Sequence, residues 1–438
     1  MSWESAEPDF DVIVVGAGIA GSLAAYLLAR QGRSVLLIER GESPGAKNLS
    51  GGVLYSRTIE SVFPEFLTEA PIERRITRNQ ICFLNRDGSV AVDYQDARLS
   101  EPVNAVTVLR AKLDAWLAEQ CTGAGALVMP GVRVDEALVE HADGGDWVVG
   151  VQAGADQLRA RVVIAADGVN SFIARGLGLR AKPPMHHLAV GIKGVLALPR
   201  TVLEDRFNLS ADEGAALAVV GDCTRGVGGG GFCYTNLESV SVGVVLRLDD
   251  LVAKKQVASE IFEHFLEHPV VARYLKDGEL LEYGCHLVAE GGLEMVGDIA
   301  MNGMVVVGDA AGLTLNTGLT VRGMDLAVGS AVAAASAVGR ALDSRDASAY
   351  RLGHYRELLF ASNVGKDMQT YAAAPGFLES ERLYGQYGEL LARVLYGAFS
   401  IDGRPKEHLA KMALNAFTGS GLGIGRVVGD AIAGIRAL

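Results

Sequence analysis

The feature that most constrains the fold is a glycine-rich turn near the start of the chain, Gly16-x-Gly18-x-x-Gly21. Residues 11–15 before it are mostly β-branched, apolar residues at helical spacing follow it, and Glu39 ends a second predicted strand. In such a strand–helix–strand unit, the first glycine allows a tight turn, the second lets backbone N–H groups reach a pyrophosphate, and the third lets the helix pack closely. The helix N-terminus adds partial positive charge, and the acidic residue accepts hydrogen bonds from ribose hydroxyls. The unit therefore predicts a dinucleotide site.

A second glycine-rich string, residues 226–231, also fits this pattern by spacing. The residues after it, 232–235, favour a strand, so no helix N-terminus would face a ligand. We interpret this string as a loop between strands. Without a second fingerprint, stable binding of NAD(P)H is not expected.

Asp309 is the second predicted anchor of a ligand. It follows a predicted buried strand at residues 304–307, and a helix rich in small residues runs from Gly323 to about residue 339. The Asp309 carboxylate could accept a hydrogen bond from a polyol hydroxyl. The N-terminus of the helix would stabilise negative charge, such as that near N1 and the C2 carbonyl of a reduced flavin.

Composition excludes several classes of protein. The 438 residues carry a net charge of −12, which argues against a nucleic-acid-binding protein and against a polybasic membrane anchor. The five cysteines form no Cys-x-x-Cys pair, which argues against a zinc site, a disulfide framework and a four-cysteine iron–sulfur cluster. The N-terminal residues lack a basic segment, and the apolar stretch 326–338 is too short for a span, so neither a signal peptide nor a transmembrane helix is expected.

Further elements are predicted from periodicity and turn residues. We expect a helix at residues 110–120, paired strands within 127–139, and a buried strand at 158–166 that ends in Asp167-Gly168. Residues 232–235 and 240–248 predict a hairpin, 258–274 a helix, and the last hundred residues mostly helices.

Several of these strings resemble a known group of proteins. Gly16 to Gly21 with Glu39, Arg110 before Asp114, residues 166–171, and Gly308-Asp309 resemble the FAD-binding signature of glutathione-reductase-type flavoproteins. That group includes para-hydroxybenzoate hydroxylase and geranylgeranyl reductase. Finer strings resemble the FixC family, relatives of electron-transfer-flavoprotein:quinone oxidoreductase; they are residues 43–52, 286–292, 318–325 and 399–406. The resemblance runs from about residue 9 to residue 438.

The resemblance implies FAD as cofactor, with Arg110 near the pyrophosphate, Val132 at the adenine end and Asp309 at the ribityl chain. No catalytic side chain and no metal ligand is predicted, and Arg322 is a further candidate for a polar contact beside the flavin. The residues expected to bind FAD are Gly16, Gly18, Ile19, Ala20, Gly21, Glu39, Arg40, Lys47, Asn48, Ser50, Gly51, Arg110, Val132, Asp167, Gly168, Gly308, Asp309, Gly323 and Met324.

The expected fold class is α/β (α+β overall): a Rossmann-like FAD-binding domain of the glutathione-reductase type, an interleaved antiparallel β-sheet domain on the substrate or quinone side, and a helical C-terminal region. We assign residues 1–70, 105–185 and 285–340 to the FAD-binding domain. The β-rich domain takes residues 71–104 and 186–284, and the helical region residues 341–438.

By this resemblance the protein would take electrons from an electron-transfer flavoprotein and pass them to quinone, directly or through a ferredoxin-like iron–sulfur protein. No cysteine follows Cys285, so this chain cannot build the C-terminal cluster of the mitochondrial quinone oxidoreductases, which agrees with a separate ferredoxin-like partner. We expect a cytoplasmic protein; peripheral contact with the cytoplasmic face of the membrane is a second option. Two alternatives remain: an FAD-dependent monooxygenase or geranylgeranyl-type reductase, and a non-catalytic subunit that retains FAD as a scaffold.

Overall fold

The computed structural model describes residues 8–46, 48, 52–142 and 145–438. In chain order the strands are β1 (Phe10–Val15), β2 (Val35–Glu39), β3 (Gly52–Tyr55), β4 (Ile72–Leu84), β5 (Ser89–Gln95), β6 (Ala105–Val108), β7 (Leu127–Pro130), β8 (Glu136–Ala142), β9 (Gly145–Ala153), β10 (Asp156–Ala165), β11 (Leu188–Ala197), β12 (Glu213–Gly221), β13 (Gly229–Thr235), β14 (Ser239–Arg247), β15 (Glu279–Ala289), β16 (Ala300–Met301), β17 (Met304–Val306), β18 (Leu315–Asn316) and β19 (Val321–Arg322).

The α-helices complete the list of regular elements. They are α1 (Ile19–Arg30), α2 (Arg57–Glu60), α3 (Phe66–Glu69), α4 (Arg110–Gly123), α5 (Phe172–Gly176), α6 (Arg200–Phe207), α7 (Leu248–Ala253), α8 (Ala258–Glu267), α9 (Pro269–Leu275), α10 (Met324–Asp343), α11 (Ala349–Leu352), α12 (His354–Ala361), α13 (Asn363–Thr370), α14 (Ala374–Leu378), α15 (Glu381–Tyr384), α16 (Gln386–Phe399), α17 (Leu409–Thr418) and α18 (Ile424–Ala437).

The first sheet has the order β16-β17-β10-β1-β2-β7, in which the strands from β17 to β7 are parallel and β16 is antiparallel to β17. β1 pairs in parallel with β2 and β10, and β10 pairs in parallel with β17. The register places Val15 opposite Ala165 and Ala165 opposite Val306, so these three strands end level with one another. Ligands of open parallel sheets bind beyond the carboxyl ends of the strands. The turns that follow β1, β10 and β17 therefore meet at the edge where a ligand is expected.

Helices α1, α4 and α10 share one core with this sheet. α1 packs against both other helices, and its small buried residues allow a close approach to the alanine-rich α10. By length and mean hydropathy of 1.2, α10 could cross a membrane, but 78% of its most apolar segment is buried inside the protein. α10 is therefore a core helix of this domain.

The second sheet has the order β15-β11-β14-β13-β12-β4-β6-β3, with β5 paired to β4. It has its own core, formed with helices α6, α8 and α9. The predicted hairpin is confirmed, since β13 and β14 pair antiparallel through the turn at residues 236–238. The domain boundaries stay a prediction; β3 and β6, which lie within the segments assigned to the FAD-binding domain, pair in this second sheet.

Three expectations about local structure are wrong. Residues 127–139 do not form a pair of strands: β7 pairs with β2, and β8 pairs with β9. The partner of β7 is a strand about ninety residues earlier, and the partner of β8 is the strand that follows it. The periodicity within residues 127–139 does not identify either partner. The helix expected at 258–274 is two helices, because Pro269 lacks the N–H that a continuous helix needs and instead begins α9.

The second glycine-rich string is also not wholly a loop, since residues 229–231 are the start of β13. A Cβ on Gly229 would lie 2.0 Å from the Val245 carbonyl oxygen, and one on Gly231 would lie 2.8 Å from the Phe265 ring. These glycines allow close packing of strands and of α8. No helix begins after the string, as expected.

Candidate cofactor-binding site

A cavity of about 610 Å³ lies at the carboxyl edge of the parallel strands and reaches the second sheet. Its volume is typical of cofactor sites, about 300–1,000 Å³. The structure brings together on its wall most of the residues that the sequence predicted: Gly16, Gly18, Ile19, Ala20, Glu39, Arg40, Asn48, Arg110, Val132, Asp167, Gly168, Asp309, Gly323 and Met324.

The other predicted residues lie elsewhere. Gly21 and Gly308 do not line the cavity but support its wall. A Cβ on Gly308, whose φ is +59°, would lie 2.8 Å from the Cβ of Ala20. Lys47, Ser50 and Gly51 fall outside the described residues.

The glycines of the first turn have three different roles. Gly16 has φ +104°, and a Cβ there would lie 2.4 Å from the carbonyl oxygen of Ala166, the residue directly after the neighbouring strand β10. A Cβ on Gly21 would lie 1.9 Å from the carbonyl oxygen of Gly16. Gly18 differs, because a Cβ there would point into the cavity with Arg110 Nη2 as its nearest neighbour, at 3.6 Å. Gly16 and Gly21 are thus required by the fold, and Gly18 keeps space in the cavity open.

Glu39 braces the same turn from the end of β2. Its carboxylate accepts hydrogen bonds from the Ala17 N–H at 3.0 Å and the Gly41 N–H at 2.7 Å. The backbone of Glu39 also accepts the Val132 N–H at 2.9 Å, which holds the loop after β7 against β2. Glu39 and Val132 therefore form one end of the cavity.

Arg110 is held at the cavity wall by a fully buried carboxylate. Arg110 Nε and Nη2 donate to the two oxygens of Asp114 at 2.9 and 2.8 Å, one helical turn later in α4. The side-chain amide of Asn48 donates to the same carboxylate. Burial opposes the Arg110 charge, but Asp114 and, less strongly, Asp309 outweigh it, and the pKa of Arg110 is raised. Arg110 thus presents a fixed cation beside Gly18, while the Asn48 amide is directed at Asp114.

Asp309 and the start of α10 meet at another part of the cavity. A Cβ on Gly323 would lie 4.0 Å from Asp309 Oδ1, although the two residues come from separate turns. Burial raises the pKa of Asp309, and Arg110, His286 and Arg180 oppose this shift. Arg180 also donates to the Asp309 carbonyl oxygen at 2.9 Å, which fixes the turn after β17.

Two further predicted residues have partners that shape the wall. Asp167 Oδ2 accepts the Ile173 N–H at 3.0 Å, while its buried Oδ1 has no hydrogen-bond partner among the described residues. Burial raises the pKa of this carboxyl. Arg322 lines the cavity and forms ion pairs with Asp325 and Asp367.

Sequence reasoning missed the side of the cavity that the second sheet and its neighbours supply. Tyr234 of β13, His286 of β15, Glu290 just after it, and Asn316 of β18 all line the cavity. The string 286–292 carried the family resemblance, but no spacing rule assigned a role to any residue in it. Among the described residues, no group of three metal-ligating side chains occurs.

These observations fit a bound dinucleotide with a redox-active ring. The cavity has a space at Gly18 that a Cβ would enter, and a buried Asp167 oxygen without a hydrogen-bond partner in the described part of the chain. The N-termini of two helices, α1 and α10, also lie on its wall. Helix N-termini stabilise phosphates and anionic rings.

Comparisons with known proteins agree with this chemistry. Residues 9–213 match the model of the FAD binding domain, and residues 374–438 match the C-terminal domain of the ETF-QO/FixC family. The probable electron transfer flavoprotein-quinone oxidoreductase YdiS of Escherichia coli strain K12 is 45% identical over 98% of this chain and 99% of that protein. This chain belongs to the ETF-QO/FixC family. Protein FixC of the same strain is 42% identical over 99% of this chain and all of that protein.

Solved structures show the same fold as this ETF-QO/FixC protein. A geranylgeranyl bacteriochlorophyll reductase-like protein from Thermoplasma acidophilum has a TM-score of 0.70 at 20% identity, over 96% of this chain and 98% of that chain. A flavin-dependent brominase has a TM-score of 0.60 at 16% identity, over 97% and 98% of the two chains. The predicted fold class, with its FAD-binding domain and helical C-terminal region, is confirmed.

This member of the ETF-QO/FixC family is an FAD-dependent oxidoreductase that functions in electron transfer. When bound, FAD supplies the electron-accepting ring, so the chain needs no nucleophile of its own. The residues of the chain would bind and orient this cofactor: Gly18 leaves space in the first turn, Glu39 and Asp114 hold the cavity wall through hydrogen bonds, and the start of α10 would provide partial positive charge.

Proposed function

We propose that FAD occupies the central cavity between the two anchors predicted from the sequence. Its adenosine end would lie by Glu39 and Val132, its pyrophosphate by Gly18 and Arg110, and its flavin by the start of α10. The fixed Arg110 cation suits a pyrophosphate, and the N-terminus of α10 suits the negative charge of a reduced flavin. The remaining predicted residues on the cavity wall would supply further contacts.

We propose that this protein takes electrons from an electron-transfer flavoprotein and passes them to quinone, directly or through a ferredoxin-like subunit. The observation that carries the proposal is the 45% identity, over nearly the whole of both chains, to a protein named as a probable electron transfer flavoprotein-quinone oxidoreductase. The residues after Cys285 contain no cysteine, which is consistent with an iron–sulfur cluster on a separate ferredoxin-like subunit.

Peripheral contact with the cytoplasmic face of the membrane would bring quinone within reach. Support comes from α16, α17 and α18, whose outer faces carry large exposed apolar side chains; Phe399 is 82% exposed and Ile435 83%. Residues 386–438 contain six Lys and Arg against four Asp and Glu, although the whole chain is acidic. An amphipathic, mildly basic surface is suited to an anionic bilayer.

Anaerobic stopped-flow reduction of the purified FAD-containing protein tests the electron donor. We expect reduced electron-transfer flavoprotein to reduce the FAD faster than NADH does, and a quinone analogue to reoxidise it. A strong preference for NADH, together with NADH-dependent oxygen consumption in a separate aerobic assay, would instead support the monooxygenase alternative. FAD that dithionite reduces, but that exchanges electrons with none of these partners, would support the scaffold alternative.

A further inference from the structure

Glu290 lies just after β15 on the wall of the cavity, close to the start of α10. Asn316 Nδ2 lies 3.5 Å from Glu290 Oε1, and Asn316 pairs with Val321, two residues before Gly323. The carbonyl oxygen of Ala289, the residue before Glu290, accepts a hydrogen bond from Thr314 Oγ1 at 2.9 Å. Asn316 and the β18–β19 pair thus link Glu290 to the start of α10, and Glu290 and Gly323 line the same cavity.

The C-terminal region covers the loops on both sides of this carboxyl. A Cβ on Gly292 would lie 3.1 Å from Pro375, and one on Gly318 would lie 3.0 Å from Leu378. Tyr384, in the same covering region, donates its hydroxyl hydrogen to the Leu378 carbonyl oxygen. Glu290 is therefore only partly exposed, and its side chain reaches the cavity.

The surroundings of Glu290 let it exist both as an acid and as a carboxylate near neutral pH. Burial raises its pKa to about 7, while the Asn316 amide and the Arg247 guanidinium oppose this shift. Its backbone N–H donates to the carbonyl oxygen of His187 at 2.8 Å. Among the charged and titratable groups, Arg247 and Tyr384 interact electrostatically with Glu290, and the His187 backbone contacts it. Glu379 interacts in turn with Arg247 and Tyr384, and His286 lines the same cavity.

We propose that Glu290 takes up a proton when the bound cofactor is reduced, and so couples electron transfer to proton transfer at this site. The inference rests on the proposed position of the flavin beside α10. Two electrons and one proton from outside leave a reduced flavin with a negative charge near N1 and the C2 carbonyl. A like charge nearby disfavours the carboxylate, so Glu290 binds one proton from water during reduction and releases it on reoxidation.

The pH dependence of the reduction potential of bound FAD measures this proton. For a two-electron couple, each proton taken up adds about 30 mV per pH unit to the slope. The measurement would compare the wild-type protein, Glu290→Gln and Glu294→Gln by spectroelectrochemical titration with chemical mediators. Glu294 is a matched control because it lies four residues away with a side chain 75% exposed.

Above about pH 7, where oxidised Glu290 is a carboxylate, we expect the wild-type protein and Glu294→Gln to show a slope steeper by about 30 mV per pH unit than Glu290→Gln. Equal slopes in all three proteins, with full FAD content, would overturn the proposal. If Glu290→Gln purifies without FAD, the infrared difference spectrum of wild-type reduction decides instead. A carboxylic acid C=O band that appears on reduction, and shifts with ¹³C-labelled glutamate, supports the proposal, and its absence overturns it.

The mediators supply the electrons in this titration, so a failure of electron-transfer flavoprotein to reduce the protein does not affect the slope. The proposed partner and the proposed proton-binding residue can therefore fail separately. An FAD that lies outside the cavity would also give equal slopes, and retention of FAD by Gly18→Ala would identify that cause.

Discussion

At the scale of single residues, substitution of one glycine in the first turn tests ligand binding, whereas substitution of the other two would disturb folding. Alanine at Gly16 or Gly21 would collide with backbone atoms at 2.4 or 1.9 Å, so such variants would report on folding. Alanine at Gly18 would meet no atom of the described residues closer than 3.6 Å, so its effect would fall on the ligand.

We therefore expect Gly18→Ala to fold but to purify with little FAD. A methyl group forced into a close-packed contact costs about 1–3 kcal/mol, which corresponds to roughly 5- to 150-fold weaker binding. The ratio of flavin to protein absorbance measures this loss, and circular dichroism checks the fold. Gly123→Ala is the control, since a Cβ there meets nothing within 4 Å. A fully yellow Gly18→Ala protein would show that the turn is not the pyrophosphate site.

Asp114 shows how a buried residue can support the site without lining it. Asp114→Asn replaces one of the two oxygens that hold Arg110, and hydrogen bonds to charged groups contribute about 1.5–3 kcal/mol. We expect the free energy of unfolding of the apoprotein to fall by about that amount in denaturant titrations. The exposed pair Glu389–Arg393 has the same spacing, so Glu389→Gln should cost less than about 0.5 kcal/mol. Equal losses for both variants would contradict this role of Asp114.

Glu290 also makes a prediction about stability that needs no cofactor. Its pKa rises from 4.5 to about 7 on folding, so the folded state binds more protons than the unfolded state between these values. This contribution to stability is complete below about pH 4.5 and is lost as pH rises through about 7, with a limit of about 3 kcal/mol. Wild-type apoprotein should therefore lose stability relative to Glu290→Gln over this range in denaturant titrations. A stability difference that is independent of pH would show that the carboxyl does not titrate there.

At the scale of elements, β1, β10 and β17 could be predicted because parallel strands buried on both faces form continuous apolar runs. The partner of β7 could not, because the pairing with β2 depends on a strand about ninety residues earlier. The break between α8 and α9 had a visible signal in Pro269, and a single helix was nevertheless expected there.

The outer face of α16 gives the prediction for the C-terminal helices. Tyr396 and Phe399 are 75% and 82% exposed, and each ring would gain about 1.5–3 kcal/mol when fully buried in a bilayer interface. We expect the double variant Tyr396→Ser, Phe399→Ser to bind anionic vesicles at least about tenfold more weakly in co-sedimentation, with unchanged FAD content. Tyr350→Ser, at an 86% exposed position on α11, should bind like the wild-type protein. Vesicle binding that is absent in all three proteins, or equal in all three, would argue against membrane contact through α16.

At the scale of the whole molecule, some residues of the cavity could be predicted from local sequence patterns and others could not. Gly18, Glu39 and Asp309 stand at the ends of strands with local signals, and the structure brings them to one cavity. Tyr234 and His286 lie in the second sheet, Glu290 directly follows its strand β15, and Asp114 lies behind the cavity wall. Only the folded topology relates these residues to the site. Their positions depend on pairings between strands far apart in sequence, for which a single sequence carries no local pattern.

A crystal structure of the protein purified with its own FAD tests most directly whether the turn after β1 and the turn after β17 hold the same cofactor. We predict that the adenosine lies at Glu39, the pyrophosphate at Gly18 and Arg110, and the flavin beside Asp309 and Gly323. FAD bound outside this cavity, or a well-folded protein that binds no FAD, would contradict the account.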